Sequence, residues 1–147
     1  MIIYIDTSAL GRVYLGDQSD STELTRVVYE GDCPVITSEL TDVEIAGALA
    51  RASRDGVIDL VTAHELLDRY ATDTSDTGPL GVLALDSDTI ALAQRYVLTA
   101  PLRTLDAIHL AACAQFGEST PDEVRLLSRD NRQNEAAQAL GIALAED

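Results

Sequence analysis

The spacing of apolar residues changes repeatedly along the chain. Residues 2–5, Ile-Ile-Tyr-Ile, form an unbroken β-branched and aromatic run. Such a run suits a strand covered on both faces, as in a parallel sheet. Asp6 ends it, Thr7 and Ser8 offer helix caps, and residues 8–16 predict a short helix closing at Gly16. A second helix is expected from Asp20-Ser21 to Gly31, with Leu24, Val27 and Val28 on one face. Asp32-Cys33-Pro34 reads as a turn and residues 35–37 as a short strand. Residues 39–54 keep helical spacing through Leu40, Val43, Ala46 and Leu49, with Arg51 and Arg54 where cations favour the helix dipole. Thr62 caps a further helix through Leu66, Leu67 and Tyr70, and residues 72–80 read as an exposed polar loop. Residues 82–85 predict a third strand, followed by a helix capped by Asp86-Ser87-Asp88 and running through Ile90, Ala93 and Val97. Pro101 breaks the chain, and Thr104 caps a long helix from Leu105 to Phe116 ending at Gly117. Residues 124–128 predict a fourth strand, Asp130-Asn131 start a helix to Leu140, and residues 142–144 add a last short strand.

Strands alternating with helices predict an α/β fold: a three-layer α/β/α sandwich with a mostly parallel central sheet. The 147 residues suffice for one domain with a sizeable core, spanning 1–147. In such a sheet, ligands bind in the crevice outside the carboxyl ends of the strands. Asp6 stands at such an end.

Charge narrows the chemistry. The net charge is −15, and all ten cationic residues are arginine. The absence of lysine excludes GK[ST] phosphate loops, Schiff-base chemistry and lysine-dependent phosphotransfer. So acidic a chain repels nucleic acid at long range and attracts a basic protein partner. Cys33 and Cys113 form no CxxC pattern, so no zinc signature is present; Cys113 reads as a small core residue. No signal peptide pattern and no apolar stretch of about 20 residues is found, so a soluble, cytoplasmic protein without membrane association is expected.

Four acids lie at strand ends or on the helices that follow: Asp6, Glu44, Asp106 and Asp130. Each has a structural reading. Asp6 and Asp130 suit helix caps, Glu44 the last place of a capping box Thr41-Asp42-Val43-Glu44, and Asp106 a helix first turn. Jointly they ask for more. Glu44 and Asp106 sit in apolar surroundings, no lysine is available, and no arginine follows either at i+3 or i+4. A carboxylate so placed is costly without a counter-charge. A metal ion satisfies grouped acids, and hard oxygen donors without a His or Cys cluster point to Mg2+ or Mn2+. His109, one turn beyond Asp106, reads as a helix-packing histidine rather than a general base, and His64 as solvated.

Four blocks carry a family resemblance: Ile3-Tyr4-Ile5-Asp6-Thr7-Ser8-Ala9-Leu10; Thr37 to Glu44 with Ala48-Leu49; Leu102-Arg103-Thr104-Leu105-Asp106-Ala107-Ile108-His109-Leu110-Ala111; and Leu127-Ser128-Arg129-Asp130 with Leu140-Gly141-Ile142. In this order the chain resembles the PIN-domain ribonucleases, most closely the VapC-type toxins of toxin–antitoxin pairs. Glu44 matches the second acid better than Glu39, and Ser128 stands where the family usually has threonine. The resemblance implies a PIN-like fold, metal binding by Asp6, Glu44, Asp106 and Asp130, and Mg2+-dependent hydrolysis of RNA phosphodiester bonds. It also implies a cognate antitoxin and a homodimer. On this reading Asp6 and Asp106 are direct ligands, while Glu44 and Asp130 bind a second ion or orient water. Thr7, Ser8 and Ser128 hold carboxylates or water; Arg103 and Arg129 either meet the RNA backbone or are plain surface charge. Two other readings compete. An aspartyl-nucleophile phosphatase would want an acid where Ser8 stands. A non-catalytic module of the same fold would only bind RNA or protein.

Overall fold

Ile2–Ile5 form strand β1, with all four residues buried. The structure, a computed structural model, describes residues 1–145. Three more strands, β2 (Val35–Ser38), β3 (Leu80–Leu83) and β4 (Val124–Leu127), complete a sheet of order β3-β2-β1-β4 in which every pairing is parallel. The helices are α1 (Thr7–Leu15), α2 (Ser21–Glu30), α3 (Glu39–Arg54), α4 (Leu60–Asp73), α5 (Ser87–Thr99), α6 (Thr104–Ser119) and α7 (Asn131–Ala139).

Alternate strand residues feed two cores. Ile3, Ile5, Val35 and Leu127 pack with Leu10, Val13, Leu24 and Ile45 from α1, α2 and α3. Tyr4 and Leu126 pack with Leu110 and Cys113 of α6 and Ala136 and Ala137 of α7. The sheet is therefore the middle layer of an α/β/α sandwich, as expected. Each fully buried Leu or Ile contributes about 1.5–3 kcal/mol. The unbroken apolar run of β1 follows from its place between β2 and β4 with helices on both faces.

The strand order also fixes where a ligand can sit. From β1 the chain steps to β2 and β3 on one side, and β4 then returns to the other side of β1. The crevice at this switch lies between the carboxyl ends of β1 and β4. Asp6 follows β1 directly, and Ser128 to Asp130 follow β4.

Several boundaries differ from the sequence expectation. β3 spans 80–83 rather than 82–85 because its partner runs out: Ser38 pairs with Leu83 and is also the N-cap of α3. Beyond it, the Leu85 N–H donates to the Glu39 carboxylate at 2.8 Å instead of to a strand. α4 begins at Leu60 because Asp59, not Thr62, is the cap, its carboxylate accepting from the Thr62 N–H at 2.7 Å. Residues 41–44 are no capping box, since α3 starts at Glu39 and Thr41 is buried inside it. Thr104 is the first residue of α6 rather than its cap, and the helix passes Gly117 to Ser119. Residues 142–144 add only a bridge of Leu144 to Leu126. The loop expected at 72–80 starts later, because Asp73 is buried at the end of α4.

Candidate active site

Asp6 is 2% exposed and accepts from three donors. Its Oδ1 accepts from Ser8 Oγ at 2.6 Å and, as the α1 cap, from the Ala9 N–H at 3.1 Å. Its Oδ2 accepts from Ser128 Oγ at 2.6 Å. Ser8 and Ser128 are themselves held, Ser8 by the Arg129 N–H at 2.8 Å and Ser128 by the Asp130 N–H at 3.1 Å. The turn after β4 is thereby tied to the end of β1. Burial pushes the Asp6 carboxyl above its ordinary range, against the opposing pull of the Ser128 and Ser8 hydroxyls.

Glu44 reaches the same place from α3. Its Oε1 accepts from Thr7 Oγ1 at 2.8 Å and from His109 Nε2 at 2.5 Å. Burial pushes this carboxyl up, but His109, Thr7 and Arg51 outweigh it and hold Glu44 below the ordinary range. Asp106, in the first turn of α6, accepts from Arg103 Nε at 3.0 Å. Asp130 caps α7 with Oδ1, which accepts from the Arg132 N–H at 2.9 Å, and its Oδ2 accepts from Arg103 Nη2 at 3.2 Å. Arg103 thus spans Asp106 and Asp130 while 68% of its side chain remains exposed. The arginine partner of Asp106 precedes it by three residues rather than following it at i+3 or i+4.

All four acids line one cleft of about 690 Å3, together with Arg12, Arg51, Arg103, His109 and Gln133. Four separate segments of the chain deliver them. Two further expectations are refined. His109 is buried and packs edge-on against Tyr4, as a packing histidine would, yet it also bonds Glu44. Arg129 does not line the cleft; its Nε lies 2.5 Å from Asp20 Oδ2. Gln133 was not singled out by sequence. Its Nε2 is the one buried side-chain nitrogen or oxygen among the described residues that lacks a hydrogen-bond partner. A lone glutamine in the Ala-rich face of α7 was the available signal. His64 is exposed, as expected.

The donor set suits a hard divalent cation in kind, since every acid in the cleft offers oxygen. Among the described residues, no three His, Cys, Asp or Glu side chains stand close enough to hold an ion as placed. Both Asp6 oxygens accept from donors here, and the Arg103 guanidinium lies between Asp106 and Asp130. The orphaned Gln133 amide is a donor, so it suits a phosphate oxygen or water rather than a cation. In donor type these residues fit a hard divalent cation with an anionic substrate beside it.

The PIN domain family signature matches residues 3–139. Ribonuclease VapC35 of Mycobacterium tuberculosis is 31% identical over 143 residues, covering 97% of this chain and 95% of that protein. Ribonuclease VapC47 of the same organism is 35% identical over 118 residues, covering 78% and 76%. The crystal structure of Mycobacterium tuberculosis VapC20, described as a sarcin-ricin loop cleaving toxin, superposes with a TM-score of 0.67 at 16% identity, covering 96% of each chain. That likeness speaks for the fold.

Proposed function

This chain belongs to the PIN-domain family and, within it, to the VapC ribonucleases, and from that premise we propose a divalent-metal-dependent endoribonuclease acting as the toxin of a type II toxin–antitoxin pair. The observation that carries the reading is the arrival of Asp6, Glu44, Asp106 and Asp130, from four segments, in one cleft at the sheet's carboxyl edge. In this reading the four hold Mg2+ or Mn2+. A bound ion of this kind lowers the pKa of water and neutralises charge on the scissile phosphate.

The chain's own residues supply the rest. Ser8, Ser128 and the Ala9 N–H fix the position of the Asp6 carboxylate. Gln133 offers its unpartnered N–H to a phosphate oxygen. In this reading Arg12, Arg51 and Arg103, which line the cleft, are the cations available to the RNA backbone, although Arg12 is paired with Asp20 and Arg103 with Asp106 and Asp130. The net charge of −15 favours an antitoxin that enters the cleft with a basic segment. A homodimer completes the proposed assembly. Among the described residues, no helix is long and apolar enough to cross a membrane.

The test is incubation of the purified, antitoxin-free protein with total cellular RNA in Mg2+, in Mn2+ and in EDTA. Discrete products in either metal and none in EDTA are expected. Undiminished cleavage in EDTA, or intact RNA in both metals, would contradict the reading.

A further inference from the structure

We infer that His109 is a positioning residue of this cleft, locking Glu44 in the orientation in which it meets a divalent cation; the inference rests on the metal-dependent reading above and deepens it. The imidazole is 2% exposed and lies on the buried face of α6, between the fully buried Ala107 and Leu110. A buried ring must satisfy its nitrogens or lose stability, and here both have a polar partner. Nε2 faces Glu44 Oε1 at 2.5 Å, and Nδ1 lies 2.8 Å from the Tyr4 hydroxyl. A carboxylate oxygen only accepts, so the hydrogen of the first contact sits on Nε2. The same Tyr4 hydroxyl lies 3.0 Å from Ser38 Oγ and so links the imidazole to Ser38.

The network closes on itself. Tyr4 belongs to β1, His109 to α6, and Ser38 is the residue from which α3, the helix bearing Glu44, departs. Glu44 Oε1 is therefore gripped twice, by His109 and by Thr7 Oγ1 at 2.8 Å. A glutamate has three rotatable side-chain bonds, and its rotamer freedom opposes any ligand that must order it. His109 removes that freedom in advance, referenced to the central strand. Packing alone does not require this. Leucine would fill the space beside Tyr4 and leave Glu44 with Thr7 only.

Three substitutions separate positioning from packing. His109→Gln places an amide N–H near the Nε2 position and keeps the Glu44 contact. His109→Asn places its amide near Nδ1, keeping the Tyr4 side and losing Glu44. His109→Leu keeps bulk alone. Mn2+ affinity of the full chain, read from the electron paramagnetic resonance signal of free Mn2+, is the measurement, with circular dichroism melts alongside. Asn and Leu should weaken Mn2+ binding about 10- to 100-fold, and Gln by no more than about threefold. If Leu fails to fold, the Gln and Asn variants decide. Asn and Leu binding Mn2+ like the unaltered protein, or Gln binding as weakly as Asn, would overturn the inference. Asp106→Asn is the control for the underlying reading. If it weakens Mn2+ binding while the His109 variants do not, the positioning role alone falls. If the unaltered chain binds no Mn2+, the metal reading falls and the role of His109 with it.

Discussion

Asp6 illustrates a conflict between stability and function. It is buried, and its ionised form is disfavoured there despite three donors. A carboxyl whose native pKa lies above its unfolded value binds protons more readily when folded. Its contribution to stability is fully present below the unfolded value, about 3.9, and is lost as pH rises through the native one. At neutral pH the metal-free protein therefore carries Asp6 at a cost. Asn is as good a cap as Asp, and Ser8 and Ser128 can accept from an amide as readily as they donate to a carboxylate. In EDTA at pH 7, Asp6→Asn is expected to melt at or above the temperature of the unaltered protein, with the gap closing below about pH 4. A variant melting well below it at pH 7 would show that the carboxylate's bonds outweigh its burial. Asp6 was legible in sequence because it ends an apolar run just before two capping residues. The bond from His109 to Glu44 was not, since those residues are 65 apart and meet only when α3 and α6 dock.

Among the elements, α1, α2 and α4 are joined by a polar knot whose residues do not line the cleft. Asp73, at the end of α4, accepts from the Tyr14 hydroxyl at 2.6 Å and the Tyr29 hydroxyl at 2.5 Å. The Arg69 guanidinium lies 5.6 Å and 5.0 Å from those ring centroids. Asp73→Ala leaves two hydroxyls without their acceptor and should cost about 2–3 kcal/mol in urea unfolding. A cost below about 0.5 kcal/mol would mean that water replaces the carboxylate. Burial first, then Asp73, pushes the Tyr14 hydroxyl upward, and Tyr29 follows the same order. Their contribution is thus present below the ordinary tyrosine range and lost as pH rises above about 10. This knot explains why the polar run from Thr72 was misread as wholly exposed: Asp73 has long-range tyrosine partners that a local pattern does not reveal. Strand β3 was displaced for a similar reason. Its extent is set by where β2 turns into α3, whereas β1 and α3 follow their own local patterns and were read closely.

At the scale of the whole molecule, the fold converts scattered acids into one concentrated charge. Arg103 balances part of it between Asp106 and Asp130, and a divalent cation would balance more. An ion that binds the native state alone stabilises it by about 2.7 kcal/mol at a hundredfold excess over Kd, about 5–10 °C for a chain of this size. Mg2+ or Mn2+ is expected to raise the melting temperature by that order, and Asp106→Asn to reduce the rise. A melt unchanged by millimolar metal would exclude a site of useful affinity. The layered architecture and its acidic edge were legible from alternating strand and helix patterns. The arginine wall was not, because Arg12, Arg51 and Arg103 are far apart in sequence and are brought together only by the packing of α1, α3 and α6.

The most direct measurement is the cleavage rate of one mapped RNA fragment in Mg2+, by the unaltered chain and by Asp6→Asn side by side, with folding of both verified by circular dichroism. A folded Asp6→Asn slower by about 100-fold or more is expected if Asp6 belongs to the reacting centre. Cleavage by that variant at the unaltered rate would contradict the assignment of the carboxylate cleft as the site of RNA hydrolysis.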